Sequence, residues 1–85
     1  MRYTLVIERR AQKALARIEQ RDRGRIANAI RGLARDPRPP GVKRLTGRDA
    51  YRLRVGDYRV LYEIEDQQLV VLVVDVGHRR EIYRR

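Results

Sequence analysis

The sequence predicts an α+β domain in which two N-terminal helices pack on one face of a four-stranded, mostly antiparallel sheet. Three observations carry that class. Helical periodicity is confined to the stretch between Arg9 and Ala34, strand-like segments lie on both sides of it, and the last of these, residues 69–76, is apolar at nearly every position. A run of that kind fits a central strand, which places the first strand beside it. Eighty-five residues suffice for a single domain spanning 1–85 with a modest core.

The first segment, residues 2–8, alternates well enough for a strand. From Arg9 the pattern turns helical, with Ala11, Ala14, Leu15 and Ile18 at the spacing of one buried stripe. After a short break Asp22 is placed to cap a second helix, whose stripe is Ile26, Ile30, Leu33 and Ala34. Pro37, Pro39 and Pro40 end it, because proline cannot continue a helix. The exposed side of this pair carries Arg10, Lys13, Arg17, Arg21, Arg25 and Arg31, charges of the kind most often found simply solvated. Residues 41–49 read as a connection. Residues 51–55 and 58–64 then alternate as two strands joined by Gly56 and Asp57, and residues 65–68 turn the chain into the last strand.

Twenty-one Lys and Arg oppose 11 Asp and Glu, a net charge of +10 that favours a polyanionic partner such as nucleic acid. All but two of the 21 are arginine, whose planar fork suits bidentate phosphate contact, although a general arginine-for-lysine bias gives the same count. No cysteine and one histidine argue against disulfides and a zinc site, so no cofactor and no metal are expected. Neither a signal peptide nor a membrane-spanning run is recognisable, and a cytoplasmic protein is expected.

The short hairpin fixes a register. A two-residue loop at Gly56 and Asp57 sets Val55 against Tyr58, Arg54 against Arg59, Leu53 against Val60 and Arg52 against Leu61. Tyr51, Leu53, Val55, Tyr58, Val60 and Tyr62 then face the helices, which leaves Arg52, Arg54 and Arg59 together on the other face. Directly opposed like charges cost stability, so such a cluster suits an anion, and guanidinium forks suit phosphate. Beyond it come Gly77, His78, Arg79 and Tyr83, near the rim of the same sheet. RNA cleavage through the ribose 2′-hydroxyl needs a proton acceptor, cations for the phosphorane charge and a donor for the leaving 5′-oxygen. Arginine supplies the second function. Histidine is suited to the first, although a lone histidine is more often structural, and Tyr83 could donate a proton, stack on a base or simply pack.

The stretches "YRLRVGDYRVLYEI" and "VDVGHRREIY" resemble the RelE toxin family of type II toxin–antitoxin systems, within the RelE/ParE superfamily. The resemblance covers nearly the whole chain and is strongest in its C-terminal half. It implies a toxin that cleaves mRNA in the ribosomal A site, without a metal, by 2′-hydroxyl attack on the adjacent phosphate. By motif position it implies catalytic roles for Arg52, Arg54, Arg59, Arg79 and Tyr83. His78 is added as a candidate base, because arginine stands at both 52 and 54 where relatives often carry lysine. Lys43, Arg44, Arg48 and Arg80 complete the expected RNA-binding set. Implied partners are a small neighbour-encoded antitoxin, RelB-like or other, in a toxin–antitoxin hetero-oligomer, together with the ribosome and mRNA. Two other readings stand beside this one: a ParE-like toxin that poisons DNA gyrase without cutting RNA, and a non-catalytic basic module that binds nucleic acid.

Overall fold

The computed structural model describes residues 2–45 and 49–78. Its elements are β1 (Thr4–Ile7), α1 (Arg9–Ala16), α2 (Gln20–Gly32), β2 (Lys43–Arg44), β3 (Ala50–Val55), β4 (Tyr58–Glu65) and β5 (Val70–His78). The strands form one sheet in the order β1-β5-β4-β3-β2. β1 runs parallel to β5, with Val6 opposite Leu72, and every other neighbouring pair is antiparallel. The expected class and the place of the first strand beside the last both hold. The sheet gains a fifth strand because Lys43 and Arg44 pair with Arg52 and Tyr51. That two-residue strand lies within the stretch read as a connection, and both its residues are exposed, so it offered no alternation to detect.

The helices fill one face of the sheet. Ala11, Ile18, Ile26, Ile30 and Leu33 meet Val60, Tyr62, Ile64, Val71, Val73 and Val76 in a single core. At roughly 1.5–3 kcal/mol for each large apolar side chain fully removed from water, this cluster is the main source of stability. Asp22 does not cap α2: Glu19 occupies that position without a side-chain hydrogen bond, and Asp22 sits in the first turn, 3.9 Å from Arg25. There its charge still favours the positive end of the helix dipole. No helix among the described residues is long and apolar enough to cross a membrane.

Beyond the core, the proline loop is tied down by polar contacts. Tyr62, fully buried, donates its hydroxyl hydrogen to the Pro37 carbonyl at 2.7 Å. Burial pushes that phenol's pKa up, which keeps it a donor. Arg38 clamps Asp66 through Nη1 at 3.2 Å and Nη2 at 2.9 Å while lying over the Tyr51 ring, 5.3 Å from its centroid. Tyr3 donates to the same carboxylate at 2.7 Å. These two donors, Arg38 first, hold the Asp66 carboxyl down at about 2.

Candidate functional site

The β3–β4 hairpin has the expected register, with Val55 opposite Tyr58, Arg54 opposite Arg59, Leu53 opposite Val60 and Arg52 opposite Leu61. Gly56 adopts φ +59 at the first loop position, and Asp57 keeps a negative φ, as a two-residue loop led by glycine requires. A Cβ there would meet the Arg25 guanidinium only in ordinary contact, at 3.6 Å, so the positive φ is what favours glycine. Because residues opposed across strands share a face, Arg52, Arg54 and Arg59 stand on the side of the sheet that carries no helix. β2 adds Lys43 opposite Arg52. Two like-charged cross-strand pairs therefore lie side by side, Arg54 with Arg59 and Lys43 with Arg52.

These four side chains and Gly41 line a hollow of about 220 Å³. Gly41 reaches it with φ +87, a conformation that glycine adopts freely, at the end of the loop anchored by Arg38. Arg54 is exposed and donates Nε–H to the Gly56 carbonyl at 3.2 Å. Arg59 is only 8 % exposed, so it forms the floor of the hollow. Its partner across β5 is Gly77, which sets no side chain against it. The same face changes character toward β1. Val6, Val70 and Leu72 there share a larger hollow, about 570 Å³, with Glu63, Glu65 and Asp49.

His78 is not brought to the arginines. β5 steps over Val74 between the pairs Leu61–Asp75 and Tyr62–Val73. An extra residue of this kind reverses the alternation. Val71 and Val73 point into the core before the bulge and Val76 does so after it, so His78, two residues beyond Val76, lies on the helix side. It pairs with Tyr58 and meets that ring edge-on, with centroids 5.7 Å apart. It lines a separate hollow with Ala14, Arg17 and Ile18. Arg44 is also off the cluster: it opposes Tyr51 on the helix side and pairs with Asp49 at 2.8 Å. Arg48, Arg79, Arg80 and Tyr83 lie outside the described residues. Of the expected site, then, Lys43, Arg52, Arg54 and Arg59 converge.

Sequence reasoning passed over Gly41 and Arg38, which shape the hollow from the proline loop. A signal for the loop was present in "DPRPP", but nothing local marks the cross-sheet reach of Arg38 to Asp66.

Comparison with known proteins places this geometry. Residues 5–83 match the family described as the ParE toxin of type II toxin–antitoxin systems. Toxin RelG of Mycobacterium tuberculosis is 33 % identical over the full length of both chains. Among solved structures, the RelE–RelB complex from the archaeon Pyrococcus horikoshii superposes with a TM-score of 0.84 at 29 % identity, covering 93 % of this chain and 97 % of that one. A free mutant of the Escherichia coli toxin RelE gives 0.82 at 27 % identity, covering 99 % and 93 %. Similarity to a RelG toxin along the full length of both chains, agreement with RelE folds, and the family match lead to one conclusion: the chain belongs to the RelE family of type II toxins, within the RelE/ParE superfamily.

Proposed function

We propose that this toxin is a metal-independent endoribonuclease of the cytoplasm that cleaves mRNA in the ribosomal A site. The 2′-oxygen attacks the adjacent phosphorus, the bond to the 5′-oxygen breaks, and the products end in a 2′,3′-cyclic phosphate and a 5′-hydroxyl. The observation that carries the reading is the pair of like-charged cross-strand contacts around one hollow. Guanidinium forks gathered in this way on one face suit a phosphodiester, whose charge they share.

Roles follow from position. Arg59, buried and fixed, is preorganised for charge that develops on the phosphorane. Arg52 and Arg54 hold the flanking phosphates as forks. Lys43 is the one side chain lining the hollow that can exchange a proton, since guanidinium does not; only after its ammonium has given a proton to solvent can the neutral amine take the 2′-hydroxyl proton. Arg79 and Tyr83 keep the roles that family resemblance gives them, a further cation and a proton donor or stacking surface. His78, on the opposite side of the sheet, has no part in this reading.

The partner is a neighbour-encoded antitoxin. The helix-free face offers it cations at one end and apolar side chains flanked by Glu63 and Glu65 at the other, so a segment with acidic residues over Arg52, Arg54 and Arg59 complements it. The Pyrococcus structure, a toxin with its RelB, supports this partner class. Induction followed by 5′-end mapping of ribosome-bound mRNA tests the activity. Cuts bearing 5′-hydroxyls within the A-site codon are expected, whereas uncut message with DNA breaks and an SOS response would return the chain to the gyrase-poisoning reading.

A further inference from the structure

Lys43 stands in a strand of two residues, both exposed, and so short a segment does not fix a side chain by itself. What precedes it is stiffer. Pro39, Pro40, Gly41 and Val42 form a turn closed by the Val42 N–H on the Pro39 carbonyl at 3.2 Å. Proline at its second position and Gly41 at its third, with φ +87, make the type II pattern. Each proline ring fixes its own φ, so little backbone freedom separates Arg38 from Lys43. Arg38 in turn is held at three points, with Nη1 and Nη2 on Asp66 and Nε–H donated to the Tyr51 hydroxyl at 3.2 Å. Tyr51 stacks against buried Tyr62, centroids 5.7 Å apart, and stands opposite Arg44, the neighbour of Lys43 in β2. The clamp thus ties the near end of the turn to β3, the strand against which Lys43 is registered. Its ion pair is about half exposed on both sides, 46 % and 54 %, and such pairs add little to global stability. Its effect is local.

Resting on the RNA-cleavage reading above, we infer that Arg38 is a positioning residue: its grip on Asp66 and Tyr51 sets, through the proline turn, where the Lys43 amine stands over the arginine hollow. Arg38 does not line that hollow, which is bounded by Gly41, Lys43, Arg52, Arg54 and Arg59. It lies in a different one with Tyr51 and Asp66, its fork already engaged by a carboxylate, so it acts on the phosphate only through Lys43. A proton acceptor carried on a loop needs such a restraint, because a displacement of about 1 Å can cost about 100-fold in rate.

Two readouts test it, one of chemistry and one of position. Single-turnover cleavage on programmed ribosomes is compared for wild type, Arg38→Ala and Asp66→Ala, each also in a Lys43→Ala background, with folding checked by melting. Either clamp substitution is expected to slow cleavage about 10- to 100-fold at saturating ribosomes while ribosome affinity stays within about twofold. Neither should slow it further once Lys43 is gone, because both act through that side chain. Slowing by Arg38→Ala without slowing by Asp66→Ala would make Arg38 an RNA contact and overturn the inference. So would losses that multiply with that of Lys43→Ala, or Lys43→Ala cutting at the wild-type rate. Position is read without cleavage. Lys13 and Lys43 are the only lysines, so reductive ¹³C-methylation gives Lys43 its own NMR signal, with Lys13 on α1 as the internal control. In Arg38→Ala the Lys43 signal should move and sharpen while that of Lys13 stays in place; an unmoved Lys43 signal would overturn the clamp whatever the rates. Failure of the cleavage reading would show differently, as wild type that cuts no message while the Lys43 signal still responds to Arg38→Ala, which would leave the clamp standing.

Discussion

Arg54→Leu separates stability from function in the hairpin. Arg54 and Arg59 are directly opposed, and two charges at the general cross-strand spacing of about 5 Å repel by about 0.8 kcal/mol at the dielectric of water. The water value is appropriate because Arg54 is exposed. Against this relief stands the loss of the Nε–H hydrogen bond to the Gly56 carbonyl, 3.2 Å long and solvent-facing, for which about 0.5 kcal/mol is a fair allowance. Leucine keeps the strand and adds apolar surface, so the folded state should gain between zero and about 0.5 kcal/mol. For a domain of this size that moves Tm upward by at most about 4 °C. RNA affinity should fall, with the slope of log K against log salt reduced by about 0.7–0.9 for one phosphate contact. Thermal melting and oligonucleotide titration on the same preparations give both numbers. A Tm that drops by several degrees along with the affinity would show that Arg54 supports the fold, and the anion-site argument would lose its energetic basis.

Three further outcomes are expected. Tyr62→Phe leaves the Pro37 carbonyl without its buried donor and should cost about 1–3 kcal/mol in chemical denaturation; an unchanged midpoint would mean that the proline loop is held by packing alone. Asp66 is depressed to about 2 from an ordinary 3.8, so its contribution to stability is complete above pH 4 and is lost as pH falls toward 2. Asp66→Asn should therefore flatten the acid limb of Tm against pH, and a limb as steep as that of wild type would exclude the Arg38 clamp as its source. His78→Gln should cleave ribosome-bound message at the wild-type rate with an unaltered pH profile, because the ring faces α1 rather than the arginine hollow; disappearance of an acid limb in the rate would return the histidine to the reaction.

Much of this architecture was legible because it rests on local patterns. The i, i+3, i+4 stripes mark both helices, and the two-residue loop at Gly56 sets the hairpin register residue by residue, so the arginine face follows from the sequence alone. The unbroken apolar run correctly marked β5 as interior to the sheet. It also concealed the bulge: a strand that is apolar at odd and even positions alike does not reveal where alternation slips, and the slip at Val74 carries His78 to the other side. Lys43 was recognised as basic, but its place opposite Arg52 depends on a two-residue strand with no periodicity of its own. Arg38 was invisible for another reason. Its partner Asp66 is 28 residues away, and no short-range rule connects a proline loop to the β4–β5 turn.

Arg59→Met puts the central claim to the most direct test. Arg59 is the buried member of the cluster, and methionine keeps its apolar stem while removing the fork, so folding can be verified by melting before activity is read. Single-turnover cleavage of mRNA on programmed ribosomes should slow by about 100- to 1000-fold, the scale of losing one preorganised donor. Ribosome binding should change little, because the remaining arginines supply the general phosphate attraction. Cleavage at the wild-type rate by a folded Arg59→Met protein would contradict the account, since the reacting phosphate would then lie elsewhere than in the arginine hollow.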